Sequence, residues 1–103
     1  MNTSWYDKQG KPISDYSEIE KLLFDKSYKV IKQQTTNDGK VVSTVWLGLN
    51  HRFGLGEPLI FETMVFPEKG DFSDLDMERY STLKEAKAGH KRMFEKYNNP
   101  QQK

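Results

Sequence analysis

Residues 27–50, SYKVIKQQTTNDGKVVSTVWLGLN, place two segments rich in Val, Thr and aromatic residues on either side of the turn sequence NDGK. Residues of these types favour β-strands. Asp38 and Gly39 tolerate the positive φ angles that both central positions of a two-residue hairpin turn require. The stretch therefore predicts an antiparallel β-hairpin.

The second strand of this hairpin has two different faces, because side chains alternate along a strand. One face carries Val42, Thr44 and Trp46, and the other carries the aliphatic residues Val41, Val45, Leu47 and Leu49. We expect the aliphatic face to pack in the core and the face with Trp46 to be exposed. Since aromatic side chains dominate interface energetics, Trp46 is a candidate binding residue.

Two further segments follow the hairpin. The glycine-rich loop HRFGLGEP at 51–58 leads to LIFETMVF at 59–66, a nearly continuous apolar segment that predicts a third strand. Residues 68–80, EKGDFSDLDMERY, are rich in acidic side chains. We predict an exposed connecting loop there, whose functional use would be a negative patch for a basic partner surface.

A helix is predicted near the C-terminal end of the chain. Ser81 or Thr82 provides its N-cap, and Thr82 with Glu85 fits a capping box, in which each side chain accepts a hydrogen bond from the other residue's backbone amide. Asn98 to Pro100 end the helix. One face is apolar apart from a histidine; it carries Leu83, Ala86, His90, Phe94 and Tyr97, with Met93 at its edge.

The N-terminal quarter of the chain predicts two smaller elements. The segment WYDKQGKPI at 5–13 contains turn-forming residues around Gly10 and predicts a short hairpin or a tethered arm. Ser14, followed by acidic residues, supplies the chemistry of a helix start, and apolar residues then repeat at helical spacing. These signals predict a short helix over about residues 15–25.

Together the elements predict an α+β fold. We expect an antiparallel sheet of three or four strands, packed on one face by the C-terminal helix, with a short N-terminal helix at an edge. The 103 residues fit one domain, because single-core domains contain about 50 to 200 residues. We assign residues 1–98 to this domain and expect residues 99–103 to form a frayed tail.

The composition argues against several classes of protein. Sixteen basic and fifteen acidic residues leave a formal net charge of +1, which gives no global field for a phosphate backbone, so nucleic acid is not an expected partner. Without cysteine there is no disulfide, thiol nucleophile or thiolate metal site. No signal-peptide pattern or apolar run of about 18 residues is present. We therefore expect a cytoplasmic protein with no membrane partner.

Four polar side chains are candidates for a small-ligand site. His51 and Arg52 begin the glycine loop, a position at which scaffolds commonly present functional side chains. With Glu62 they would bind an anion or another polar ligand near a strand end. His90 lies on the apolar helix face, where it is either a buried acid, base or ligand, or a half-buried histidine that donates to a backbone carbonyl or to Glu62.

No metal site and no cofactor are predicted. Neither His51 nor His90 has a second histidine about three to five residues away, so a site of two histidines with Glu62 would depend on tertiary folding alone. The chain also lacks a phosphate-binding glycine loop and a serine-nucleophile motif. These absences favour a protein that is not an enzyme.

Basic residues are concentrated on the last helix, although the chain is nearly neutral in sum. Lys84, Lys87 and Lys91 share a flank that we expect to face solvent, where the ordinary role of lysine is solubility. This basic helix beside an acidic loop permits a protein or nucleotide partner without implying long-range binding to DNA.

Four motifs carry a resemblance to a known family: WYDKQGKPI, STVWLGLNHRF, LIFETMVF and ERYSTLKEAKAGH. From Trp5 to about Tyr97 the chain resembles a family of small uncharacterised proteins encoded by bacteriophages, prophages and some bacterial genomes. The resemblance implies a phage or prophage origin and brings no activity with it. The positions that it selects for testing are Trp5, Trp46, His51, Glu62, Thr63, Arg79, Tyr80 and His90.

Two hypotheses of function follow. The first is a non-enzymatic phage accessory protein that binds a bacterial host protein and inhibits or adapts it, for example within a host defence system. Its candidate binding residues are Trp46, His51, Arg52, Glu62, Arg79, Tyr80 and His90. The alternative is a small-ligand or nucleotide-binding protein, or a small hydrolase, that uses His51, Arg52, Glu62 and His90. For either hypothesis, a homodimer through a strand edge or the Trp46 face is a further expectation.

Overall fold

Within residues 4–98, which the computed structural model describes, four strands pair into one antiparallel sheet in the order in which they follow along the chain. The strands are β1 (Val30–Thr35), β2 (Val41–Trp46), β3 (Phe61–Phe66) and β4 (Asp76–Tyr80). β1 and β4 are therefore the edges of the sheet. The predicted α+β fold is confirmed, with four strands.

The β1–β2 hairpin is confirmed, but its turn differs from the predicted one. The Gly39 amide donates to the Thr36 carbonyl at 3.1 Å, and the Thr36 amide donates to the Lys40 carbonyl at 2.8 Å. Only Gly39, with φ +91°, has a positive φ in this turn. The connection is thus a three-residue loop in which a type I turn precedes a left-handed glycine.

Three helices accompany the sheet: α1 (Tyr16–Leu23), α2 (Lys26–Lys29) and α3 (Leu83–Tyr97). The predicted N-terminal helix is confirmed as α1, although Asp15 rather than Ser14 caps it by accepting from the Ser17 amide. The four-residue α2 was not predicted. The capping box of α3 forms with Thr82 as the N-cap, and α3 packs across all four strands.

The predicted core face of β2 was wrong. Val42, Thr44 and Trp46 are fully buried under the helices, whereas on the other face Val41 is buried and Val45 is only half-buried. The reason is the set of partners that the indole finds on this side. The Tyr28 ring of α2 packs edge-on against Trp46 with 5.0 Å between the ring centroids, and the Trp46 Nε1–H donates to the Tyr6 carbonyl. The expected exposed contact surface at Trp46 was therefore wrong. A homodimer stays a prediction.

The acidic segment 68–80 is not wholly a loop, since residues 76–80 form the edge strand β4. Its pairing with β3 brings Thr63 opposite Glu78 and Glu62 opposite Arg79. Asp76 accepts from Lys96 of α3, and Glu78 accepts from Arg92 of α3. Two of the five acidic residues in this segment are thus paired with basic residues of α3.

The N-terminal segment forms the predicted short hairpin. Tyr6 bridges Pro12, and Trp5 bridges Leu49 beyond the end of β2. The predicted tail at 99–103 lies outside the described residues, and the single domain at 1–98 stays a prediction.

Candidate functional site

A buried polar network lies between α3 and the sheet, centred on His90. The ring of His90 is 2% exposed. Its Nε2–H donates to the Gln34 side-chain oxygen at 2.8 Å, and its Nδ1 accepts from the Thr44 hydroxyl at 2.6 Å. The expected partner, Glu62 or a backbone carbonyl, was wrong. Both ring nitrogens are satisfied by neutral groups of β1 and β2.

The network continues across the sheet to its other edge. The Thr44 hydroxyl shares a hydrogen bond with the Thr63 hydroxyl, and both side chains are fully buried. On β4 the Tyr80 hydroxyl donates to Glu78 at 2.9 Å. Burial raises the pKa of Tyr80 to about 12, and its bond to Glu78 acts in the same direction. The Tyr80 phenol therefore stays protonated at any physiological pH.

The charge state of His90 follows from its surroundings. Burial lowers the pKa of His90 from its ordinary value, and the nearby Lys32 ammonium lowers it further. The imidazole is consequently neutral at neutral pH. A neutral ring bonded through both nitrogens connects α3 to β1 and β2 within the core.

Glu62 belongs to a different place. It is buried on the face of β3 opposite Thr63, where its carboxylate accepts from Arg79 Nε at 3.0 Å. Because His90 packs on the Thr63 face, the sheet itself separates Glu62 from His90. The common site that the small-ligand hypothesis requires of these two residues is not formed.

The loop between β2 and β3, residues 50–59, is held closed at its base. The Asn50 side-chain oxygen accepts from the backbone amides of Arg52 and Leu59, both at 2.9 Å. The His51 amide donates to the Leu59 carbonyl at 2.9 Å. Its ring Nδ1–H donates to the Leu49 carbonyl at 2.8 Å. These hydrogen bonds hold the two ends of the loop together. We call the bonded ends, at Asn50, His51 and Leu59, the neck of the loop.

The side chain of Arg52 stiffens the same loop from within. Its Nε–H donates to the Glu57 carbonyl across the loop. Gly56, at φ +127°, lies against the guanidinium so closely that a Cβ there would be 3.0 Å from Arg52 atoms. Arg52 thus helps to hold the loop in shape, a structural role that differs from the ligand-binding role predicted for it.

Two apolar side chains project from the tip of this loop. Phe53 is 98% exposed and Leu55 is 99% exposed, the highest values among the large hydrophobic residues described. Sequence analysis missed both, although the alternation of apolar residues with glycines in the segment 53–56 was the available signal. We call Phe53 and Leu55 the apolar tip.

Two cavities border α3 on its opposite flanks. One, of about 480 Å³, includes Arg52, Arg79 and Tyr80 in its lining and faces the β4 edge. The other, of about 540 Å³, includes His90 in its lining and faces the β1 edge. Of the predicted site residues, Arg52, Arg79 and Tyr80 are thus brought together, whereas His90 is on the other side of the helix.

Residues 4–98 contain neither a metal-binding cluster nor a helix that could span a membrane. No group of three or more His, Cys, Asp or Glu side chains in this part of the chain is arranged to hold a metal ion. None of the helices there has the length and apolar character needed to cross a membrane.

Comparisons with known proteins give no match, so any assignment of function to this chain is based on the geometry. A scan against protein-family models, a search of curated proteins and a search of solved structures each found no match to this chain.

Proposed function

We propose that this chain is a non-enzymatic phage or prophage accessory protein that binds a bacterial host protein through the apolar tip of the 50–59 loop. The exposure of Phe53 and Leu55 is the observation that carries the proposal. Fully burying one such side chain contributes about 1.5 to 3 kcal/mol. An exposed pair on a structured loop is therefore a ready anchor for an apolar pocket of a partner.

The construction of the loop supports a binding role. Ordering a flexible loop on association reduces affinity, and a preformed loop avoids that loss. The neck made by Asn50 and the internal brace made by Arg52 fix the loop before any partner arrives. Both features raise the affinity of the apolar tip without adding contacts.

The mode of action follows from the same geometry. Glu62 and His90 lie on opposite faces of the sheet, and both nitrogens of the imidazole are already bonded, so the site that the small-ligand alternative requires is not assembled. This supports a mode of action in which the protein occupies a surface of its partner. Together with the resemblance to phage-encoded proteins, this favours inhibition of a host protein, and a component of host defence is the class that we expect.

The test begins with capture of partners from bacterial lysate on the immobilised chain, at about 0.15 M and about 1 M ionic strength. A partner held by apolar contacts survives the higher salt. The affinity of the purified partner is then measured for Phe53→Ser/Leu55→Ser. We expect at least about a hundredfold loss, because two anchors are removed.

A matched control uses other exposed apolar residues. Tyr16 and Phe24 of the α1 region are 76% and 84% exposed, so Tyr16→Ser/Phe24→Ser makes the same chemical change elsewhere and should leave the affinity unchanged. Equal losses in both double variants, or no partner at either salt, contradict the proposal. Binding of the wild type to lipid vesicles that depends on Phe53 and Leu55 identifies a membrane surface instead of a protein and also overturns it.

A further inference from the structure

The groove between α3 and the edge strand β1 has the features of a ligand site that the sequence did not indicate. Its volume is about 540 Å³, within the range of about 300 to 1,000 Å³ that small-molecule sites occupy. Ile31 contributes an apolar wall on the β1 side, and Phe94 contributes one on the α3 side. We call this feature the β1–α3 groove.

The α3 wall of the groove is one helical stripe. Lys87, His90, Lys91 and Phe94 occupy positions i, i+3, i+4 and i+7, which places them on one face of a helix. Lys87 and Lys91 are exposed, as expected, and they also flank a concavity. Lys84, one turn earlier, is not part of its lining.

The rim of the groove is positively charged. Lys32 of β1 joins Lys87 and Lys91, and Glu95 is the one acidic residue of the lining. Within residues 4–98 none of these three lysines forms an ion pair, in contrast to Arg92 and Lys96 on the other flank of α3. Three unpaired ammonium groups around an apolar space attract an anion. The apolar space itself can hold the apolar part of the same molecule.

The polar side chains in the floor of the groove already have hydrogen-bond partners. His90 and Gln34 bond to each other there, and every buried side-chain nitrogen and oxygen of the described residues has a hydrogen-bond partner. The floor therefore demands no polar group from a ligand. Recognition falls to the apolar walls and the lysine rim.

From these features we infer that the β1–α3 groove binds a small amphipathic organic anion, with its apolar body between Ile31 and Phe94 and its acidic group at Lys32, Lys87 and Lys91. The acidic group is a carboxylate or sulfonate. This site is separate from the apolar tip of the 50–59 loop, and the two proposals fail independently.

The test uses 8-anilinonaphthalene-1-sulfonate, an aromatic sulfonate whose fluorescence rises in apolar sites, with decanoate as a competitor. We expect saturable binding at one site and displacement by decanoate. The variant Lys87→Glu/Lys91→Glu should weaken binding about tenfold or more, because two attractive charges become repulsive. The control Lys21→Glu/Lys84→Glu makes the same change in net charge outside the groove and should keep the wild-type affinity.

A second measurement locates the site without a variant. Addition of decanoate should shift the imidazole NMR signals of His90, which lies in the groove, and leave those of His51 unchanged. Non-saturable dye binding, equal weakening in both double variants, or unchanged His90 signals overturns the proposal. So does dye binding that is lost in Phe53→Ser/Leu55→Ser, because it places the dye on the loop.

Discussion

On α3, Gly89 faces the aromatic ring of Tyr80 where the helix packs on β4. A Cβ added at Gly89 would lie 2.2 Å from the Tyr80 hydroxyl and 2.3 Å from two ring carbons. The ring cannot move away easily, because Tyr80 is 6% exposed and bonded to Glu78. The absence of a side chain at Gly89 is therefore a packing requirement.

We expect Gly89→Ala to lower the free energy of unfolding by about 2 kcal/mol. Overpacking costs about 1 to 3 kcal/mol or more, and it exceeds the gain of about 1 kcal/mol in helix propensity. Urea denaturation measures the change. The control Ala88→Gly, at an exposed neighbour, should lose only about 1 kcal/mol. A Gly89→Ala protein more stable than the wild type would contradict the close packing.

His90 makes the free energy of unfolding depend on pH. Its pKa is lowered in the folded state by burial and by Lys32, so the unfolded chain binds more protons as pH falls below about 6.5. The stability contribution is complete above that pH and declines as pH falls towards the folded pKa. The groups bonded to the ring, Gln34 and Thr44, are uncharged.

Denaturant unfolding at about pH 7.5 and about pH 5.5 tests this sign. The wild type should be less stable at the lower pH, and His90→Asn should lose most of that difference. In an NMR titration, Lys32→Gln should raise the His90 pKa towards its ordinary value. A wild type equally stable at both pH values would refute the buried neutral imidazole.

Among the elements, α3 shows how a local signal specifies a boundary. Thr82 and Glu85 exchange side-chain-to-backbone hydrogen bonds in the predicted capping box. Thr82→Ala should cost about 1 kcal/mol of unfolding free energy. Ser81, the other predicted cap, uses only its backbone amide towards Glu85. Ser81→Ala should therefore be nearly neutral, and an equal loss in both variants would show that the cap is wrongly placed.

The elements that sequence predicted well are those with local causes. The hairpin, α1, α3 and β3 follow from turn residues, caps and periodicity within their own segments. Which face of β2 is buried does not follow from local signals, because it depends on which side of the sheet the helices cover. A row of Val and Leu looked like the better core face, but Trp46 had packing partners in Tyr6 and Tyr28 that are distant in sequence.

The strand β4 and the surroundings of the polar candidate residues also depend on contacts between segments that are distant in sequence. The sequence therefore did not predict them. The acidic side chains of 76–80 favour a loop until Arg92 and Lys96 of α3 are known to lie beside them. The separation of Glu62 from His90, and the groove beside β1, likewise arise only when distant segments meet. Residue types identified polar candidates, and tertiary packing decided their neighbours.

At the scale of the whole molecule, the distribution of charge limits binding to nucleic acid. The net charge is +1, and Arg92 and Lys96 are paired with acids of β4. One cluster of unpaired basic residues within residues 4–98 is the rim of the β1–α3 groove, with three lysines. A duplex contacting that rim would release counterions from about three phosphates.

The resulting expectation is weak duplex binding with a shallow salt dependence. Fluorescence anisotropy with a labelled non-specific duplex should give a slope of log affinity against log salt no steeper than about −3. In Asp76→Asn/Glu78→Gln the partners of Lys96 and Arg92 lose their charge. That variant should bind more tightly, with a slope steeper by up to about two. A steep slope in the wild type would mean that cations far from the groove act together, and it would contradict the prediction that nucleic acid is not a partner.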